Sequence, residues 1–472
     1  MDAATLERLA AALPDEGLTL GECIDRAERE GVRASDVMIA EAMRRTGLNG
    51  EGVLEATLAA FAHNLHAVEI GKTGHSFIMG DVGRDLADGA SLFGDELVDR
   101  TLARTLAAQV GNHEIGLRPC AGTGDACPYA GLMQALAELG ADRETLGRTA
   151  VIVTKIGSLF RAGKSTTGCN MEGFAAGGSA LAAAFTELEG GTPSMIGHAV
   201  ALALSPTIGV PCTPRVMVPG LCAAHIGGAV IMGRLASRLA LRTSLPVTVP
   251  VDVMLALAAA VHPLSASHLV PTVIEYMEPF FRTHPGVERH IDPAIKEAEA
   301  HRADAVRERA REEARALARK ARPVTDPFGQ PVVGGSSQAV GSPTNAARIA
   351  HALLPPGATP RRIDVELYPE LFARRGINVP GILMAAAYGA GTGDGGLYRE
   401  VMDRIAADGI EVSIRMIPDR PQWQRITVAA DTGRSEVASL NRGGARLHLV
   451  DAFPGTDAAR KAAARLGIEL VD

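Results

Sequence analysis

GKSTTGCNMEGFAAGGSALAAAF, residues 163–185, begins as an irregular stretch punctuated by glycine and ends as a run built almost wholly of Ala and Gly. Gly and Ala at that density allow helices to approach closely, yet glycine weakens an isolated helix, so only tight packing offsets the loss. The stretch predicts a buried helix inside a helical domain, with a polar loop delivered to its start. The composition of the whole chain agrees. Hydrophobic residues make up 47% but aromatic residues only 4%, so the apolar mass is Ala, Leu, Val and Ile, and mean hydropathy is +0.11. This favours closely packed helices over an aromatic-rich β-sandwich.

Three more Gly- or Pro-rich segments flank that stretch: GKTGHSFIMGDVGRDL (71–86), LRPCAGTGDACPYAGL (117–132) and PTIGVPCTPRVMVPGLC (206–222). The last has four prolines and cannot be a regular helix. Around them the pattern is helical. Leu6, Leu9, Ala10 and Leu13 recur at helical spacing, as do Val53, Leu54, Leu58 and Phe61, and Leu132, Ala135, Leu136 and Leu139 predict a buried helix ended by Gly140. Residues 290–321 predict a charged, solvated or bridging helix. Pro323, Pro327, Gly329 and Pro331 then interrupt the chain.

A domain boundary is therefore expected near residue 325. It would separate a mainly α catalytic domain (1–325) from a smaller C-terminal α+β domain (326–472). In the second, RRIDVELY, EVSIRMI, QRITVAAD and ARLHLVD alternate as short strands, with helices around Thr344–Leu353 and Gly396–Asp408. At 472 residues the chain has room for about two to four domains.

The net charge of −7 excludes a polybasic protein that works on nucleic acid or a membrane surface. Residues 1–30 carry acids throughout and do not form a secretory leader. The apolar run Gly220–Leu235 is interrupted by His225 and falls short of the ~20 residues of a membrane span. The expectation is a cytoplasmic protein without nucleic-acid or membrane partners. Its six cysteines (23, 120, 127, 169, 212 and 222) then serve as thiols or metal ligands, since disulfides are rare in that compartment.

Three irregular segments carry Cys120 and Cys127, Cys169, and Cys212 and Cys222. Irregular backbone offers N–H groups to anions or sulfides, and thiolates bind soft metal. Three thiolates on a four-iron cluster leave one iron open for Lewis-acid chemistry on a hydroxyl or carboxylate. Spacing leaves the alternative open, because no C-x-x-C unit is present and buried cysteine often serves as a small hydrophobe.

Other candidate groups lie beside these segments. Lys72 and His75 sit in a Gly-flanked loop where a base can act, and His113 with Glu114 precedes the Cys120 loop, where it can place a proton-transfer group. Arg118 and Arg215 flank cysteine segments and suit a carboxylate by bidentate bonding, or a salt bridge. GAGTGDGG (389–396) resembles a nucleotide loop only superficially: it lacks a clear preceding strand and a later ribose-binding acid, and is taken as a flexible loop.

From about 65 to 265 the chain resembles the α chain of iron-sulfur-dependent L-serine dehydratases (L-serine ammonia-lyases), and more distantly the cysteine desulfidases. That family's K-T-x-L-T-G-G-D-A-x-K segment is echoed, with an insertion, by Lys72, Thr73, Gly74, Gly80, Asp81 and Arg84. Its A-P-T-A-G segment is echoed by Arg118, Pro119, Cys120, Ala121 and Gly122. Its G-C-Q-x-E-x-G segment reappears as Gly168, Cys169, Asn170, Glu172 and Gly173, and its T-C-D-P and P-C-I-E-R segments match Pro211–Pro214 and Leu221–Cys222.

The resemblance implies a [4Fe-4S] cluster on Cys169, Cys212 and Cys222, in a lyase acting on a small amino or hydroxy acid and expected as a homodimer. The family's carboxylate-holding S-S-S-H-T-x-G-P motif has its best match at Ser336, Ser337 and Gln338, followed by Ala339 and Val340, so its His and Thr are gone. A degenerate β-like domain is thus placed last rather than first, the chain ends Leu470, Val471, Asp472 without a capping cysteine, and a substrate bulkier or more acidic than serine is expected. The other readings are a cysteine desulfidase or specialised amino-acid lyase, and a non-catalytic iron-sulfur sensor.

Overall fold

The computed structural model describes residues 3–87, 91–164, 171–212, 217–325, 337–391 and 393–471, apart from the side chains of 123 and 337–340. The chain divides into two compact units, Met1–Leu317 and Ala318–Asp472.

The first unit is helical. Helices α1 (Ala3–Ala11), α2 (Leu20–Glu30), α3 (Ala34–Thr46), α4 (Gly50–Ala60) and α5 (Ala62–Gly71) lead to a short turn, α6 (Val82–Asp85). Then come α7 (Glu96–Ile115), α8 (Thr123–Glu138), α9 (Arg143–Gly163), α10 (Gly177–Leu188), α11 (Pro193–Leu204) and α12 (Leu221–Arg242). The unit ends with α13 (Val251–Leu264), α14 (Val270–Met277), the single turn α15 (Pro285–Glu288) and α16 (Pro293–Lys320), which runs on into the second unit.

Local chemistry sets many of the boundaries. Thr19 and Glu22 form a capping box at α2, Asp95, Asp142 and Thr192 cap α7, α9 and α11, and Gly31, in the left-handed region, ends α2.

The Ala/Gly run forms the expected buried helix: every residue of α10 from Gly177 to Thr186 is buried. Its contact with α12 depends on missing side chains, because a Cβ on Gly233 would stand 2.8 Å from Leu181 Cβ and 2.9 Å from the Gly178 carbonyl oxygen. Likewise, a Cβ on Gly111 of α7 would overlap the Ala67 carbonyl of α5. A short π-helical turn, Glu172–Ala176, precedes α10 and changes the phase of the backbone at its start.

Helix starts differ from the sequence pattern at two places. The 117–132 segment is irregular only to Gly122, and α8 already contains Asp125, Cys127 and Pro128. Pro128 is the sixth residue of α8, so it lacks the N–H that would pair with the Gly124 carbonyl and costs the helix one internal bond. Among the described residues, the stretch long and apolar enough to cross a membrane is not Gly220–Leu235 but Val251–Phe280, whose most apolar window is only 17% buried. It bends through Pro263 and a π turn at Ser265–Leu269, and α16 grips its far end through Arg309–Glu275 and Arg302–Glu278 ion pairs.

The second unit pairs α17 (Ser337–Ala352), α18 (Pro369–Ala373), α19 (Arg375–Tyr388), α20 (Gly395–Ala407) and α21 (Thr456–Arg465) with one five-stranded sheet. Its strands are β1 (Pro360–Leu367), β2 (Glu411–Met416), β3 (Trp423–Ala430), β4 (Gly433–Asn441) and β5 (Leu447–Phe453), in the order β2-β1-β3-β4-β5. Only β1 and β2 run parallel. Ile363, Val365 and Leu367 of β1 alternate into a core shared with α17 and α19.

This is the α+β pattern expected, with one strand added. β4 lacks a β-branched run, and its hairpin with β3 turns at Asp431–Thr432; pairing on both edges, rather than propensity, makes it a strand. The GAGTGDGG stretch is no nucleotide loop of the β-strand type, because helix α19 precedes it, with Gly389 in the left-handed region at its end and Asp394 capping α20.

Candidate functional site

The loop after α5 forms a small closed turn. The Ser76 N–H donates to the Gly80 carbonyl at 2.9 Å and the Gly80 N–H returns to Ser76 at 2.8 Å. His75 enters this turn with its own N–H donating to Glu114 Oε1 at 3.1 Å. A Cβ on Gly74 would overlap that same carboxylate, so glycine is required for the approach.

The His75 ring is 59% exposed and its Nδ1 lies 3.0 Å from Asp81 Oδ1. With Nδ1–H donating to the carboxylate, Nε2 carries the lone pair, on a ring that is mostly exposed. The hydrogen bond from His75 holds the Asp81 carboxyl below its ordinary range, and Arg84 at 3.4 Å adds to the effect.

His113, at the end of α7, is arranged differently. Its Nδ1 is 2.6 Å from Ser76 Oγ and its Nε2 is 3.0 Å from Gln109 Nε2, while Cys127 Sγ donates to Gln109 Oε1 at 2.9 Å. This direction of bonding leaves the proton on His113 Nδ1 and engages both ring nitrogens. Partial desolvation lowers its pKa below the ordinary imidazole value, so the ring is neutral. Lys72 directs its ammonium to Glu69 (2.9 Å) and Glu138 (3.8 Å). Of the three proton-transfer candidates, only His75 presents an open nitrogen oriented by a carboxylate.

The second segment is held by buried polar groups. Asn64 clasps the backbone of Arg118 from both sides, accepting its N–H at 2.8 Å and donating to its carbonyl at 3.0 Å, while Arg118 itself is exposed. Asp125 is fully buried and accepts the Ala121 and Gly122 N–H groups at 3.0 and 2.7 Å. Burial pushes its pKa up to about 7 against those two hydrogen bonds, and the nearby Glu172 charge works in the same direction as burial.

Cys120 and Cys127 lie in one segment but turn to different partners. The Cys120 thiol faces the Thr154 carbonyl at 3.7 Å and burial raises its pKa to about 12, whereas Cys127 is tied to Gln109.

Cys212 and Cys222 are wholly buried thiols. Cys169, Arg215 and Ser336 lie outside the described residues, as do the side chains of Ser337 and Gln338. Among the described residues, no group of three or more His, Cys, Asp or Glu is placed to hold a metal.

The neighbours of the three cysteines nevertheless converge. The Gly209 N–H, three residues before Cys212, donates to the Met171 sulfur at 2.9 Å, two residues after Cys169. A Cβ on Gly173 would come within 3.3 Å of His225, three residues beyond Cys222. The Gly220 N–H donates to the Ile78 carbonyl at 3.1 Å, joining the start of α12 to the His75 loop. A Cβ on Gly122 would stand 2.9 Å from Glu172 Cγ, which adds the Cys120 segment.

Glu172 lies at the centre of these contacts, only 2% exposed, with Lys164 Nζ at 2.5 Å and His262 Nε2 at 3.4 Å. Burial disfavours its charge, but the hydrogen bonds from His262 and Lys164 outweigh it and hold the carboxyl below its ordinary value.

Sequence patterns alone did not single out Ser76, Gln109, Asp125, Lys164 or His262, because their contacts, whether near in the chain as Lys164 with Glu172 or distant as His262 with Glu172, are set by packing. Asp81 was more accessible: a carboxylate six residues from a histidine in one Gly-rich loop is a local signal.

A family model described as serine dehydratase alpha chain matches residues 27–270, just over half of the chain, and this span contains all four converging segments. No curated protein matches the chain.

Proposed function

Because the chain belongs to the serine dehydratase alpha-chain family, we propose that it is an iron-sulfur-dependent lyase that eliminates water, or another β-substituent, from a small amino or hydroxy acid. The observation that carries this reading is the convergence of the Cys212 and Cys222 segments and the flanks of Cys169 on the His75 loop.

The donor set suits such a cofactor. Cys212 and Cys222 are buried sulfur donors on irregular backbone or at a helix start, an environment that favours soft metal over hard cations. Cys169, Cys212 and Cys222 would hold a [4Fe-4S] cluster. When bound, the cluster supplies a Lewis acid for the leaving hydroxyl and stabilises negative charge developing there.

The remaining work falls to the protein. His75 Nε2 accepts the α-proton, and Asp81 orients the ring and stabilises the imidazolium that forms. Arg118, its backbone fixed by Asn64, offers a guanidinium for the substrate carboxylate, and Arg215 is the second candidate in sequence. His113, with both nitrogens engaged, braces the turn through Ser76. Loss of the α-proton and the β-hydroxyl gives an enamine or enol that tautomerises, and from an amino acid hydrolysis of the resulting imine releases ammonia.

The absence of the family's His and Thr after Ser336, Ser337 and Gln338 supports a substrate bulkier or more acidic than serine. The test is anaerobically reconstituted protein incubated with L-serine, L-threonine, L-cysteine and 3-hydroxyaspartate, assayed for ammonia, sulfide and oxo acid. Ammonia with oxo acid from a hydroxy amino acid is expected. Sulfide from cysteine as the main product would replace the reading with a desulfidase, and no product from any of the four would overturn it.

A further inference from the structure

Residues 281–284 lie beyond the family-matched span, yet they contact two of the segments that build the site. The Arg282 N–H donates to the Met217 carbonyl at 3.2 Å, in the stretch that leads into α12. The guanidinium of the same residue donates through Nη1 to the Phe77 carbonyl and lies over the Phe77 ring, 4.3 Å from its centroid. On the same ring, His284 packs at 5.6 Å with a 52° tilt. The Gly220 N–H closes the arrangement on the Ile78 carbonyl at 3.1 Å. Beside Glu114 and His113, which hold the loop from the α7 side, Arg282, His284 and Gly220 hold it from another side, and Arg282 bonds both the Phe77 and the Met217 carbonyls.

We propose that Arg282 is a positioning residue that locks the His75 loop against the start of the Cys222 helix, so that an element outside the family's matched core completes the site. The inference rests on the lyase reading with His75 as base. Its physical basis is the low stability of a five-residue turn. One backbone pair between Ser76 and Gly80 and two N–H bonds to Ser76 Oγ, from Ile78 and Met79, close it, and so short a turn opens locally unless outside contacts hold it. A charge-assisted hydrogen bond to a loop carbonyl, together with a cation over the adjacent ring, supplies that restraint. Misplacing a base by about 1 Å lowers the rate by on the order of 100-fold, so a loop restraint has catalytic leverage.

The experiment compares full-length wild-type protein with R282Q and R282K. In amide hydrogen exchange on the protein as purified, R282Q is expected to raise exchange in the peptide spanning 74–81 by about tenfold, with α10 unchanged. In the reconstituted enzyme, R282Q is expected to lower kcat about tenfold or more with KM changed far less, and R282K to recover part of the loss by restoring the cation over Phe77. Unchanged exchange at 74–81 in R282Q overturns the proposal even if lyase activity is found. Raised exchange there with no lyase activity in any protein, wild type included, leaves the restraint standing and removes the catalytic reading.

Discussion

Lys164 Nζ lies 2.5 Å from Oε1 of Glu172, so an ion pair joins the residue at the end of α9 to the residue that opens the π turn before α10. The two positions bracket the Cys169 segment in sequence. The Glu172 side chain is 3% exposed and that of Lys164 21%, so the two partners do not bear the loss of the pair equally.

Removing the cation takes the ammonium from a buried carboxylate, whereas removing the carboxylate leaves a part-exposed ammonium that can turn toward water. Taking the partner from a buried carboxylate costs about 3 kcal/mol, and taking it from a part-exposed cation about 1 kcal/mol. Lys164→Met is therefore expected to destabilise the protein more than Glu172→Gln. Urea unfolding of both variants checks the order, and equal losses would contradict it.

The cluster ligands are tested by iron and sulfide content. Replacing Cys169, Cys212 or Cys222 by Ser is expected to abolish retention of both after anaerobic reconstitution. Cys23 is buried in α2 beside Glu41, with a pKa raised to about 12 by burial, and Cys23→Ser should keep iron and sulfide. Loss of iron in Cys120→Ser but not in Cys222→Ser would show that the ligand set is wrong.

Asp125 makes stability depend on pH in an unusual direction. Its folded pKa, about 7, lies above the ordinary value of 3.8, so the folded state binds more protons between these values. Stability on this account is highest below about pH 4, falls as pH rises toward 7, and is fully lost above it, by on the order of 4 kcal/mol. Asp125→Asn carries no ionisable group, so its stability relative to wild type should rise as pH goes from about 4 to about 7 and level off above that. Parallel unfolding free energies for the two proteins across that range would refute the assignment.

Gly111 tests the link between packing and the site. Its missing side chain lets α7 lie against the Ala67 carbonyl, and α7 carries Gln109, His113 and Glu114. Gly111→Ala adds a methyl where backbone stands, and overpacking of this kind costs about 1–3 kcal/mol. A lower Tm with weakened activity is expected, while Gly116→Ala, at an open helix end with positive φ, should lower Tm but spare more of the activity. Equal loss of activity in both would separate α7 packing from the site.

Much of the architecture was present in local patterns. The Ala/Gly run defined a buried helix because small residues at helical spacing leave no other stable use for that surface, and the alternating strands of the second unit were legible for a similar reason. With the motifs around Cys169, Cys212 and Cys222, the Gly-rich stretches carried the family resemblance, although the 117–132 stretch becomes helix from Thr123 on. β4 was missed because its strand state comes from pairing with β3 and β5 rather than from its own residues.

The roles of the polar groups were decided by tertiary structure. Sequence alone treated His75 and His113 as equivalent candidates, and only packing showed that one is oriented by Asp81 with a nitrogen open while the other has both nitrogens engaged. The same holds for Cys120 and Cys127, which turn to different partners, and for Glu172, whose charge depends on Lys164 and His262. Helical periodicity and glycine conformation act between residues close in the chain and are therefore written in its order. Hydrogen-bond direction, desolvation and ion pairing depend on how side chains are brought together, whether six residues apart as His75 and Asp81 or ninety apart as Glu172 and His262, and they exist only once the helices have packed.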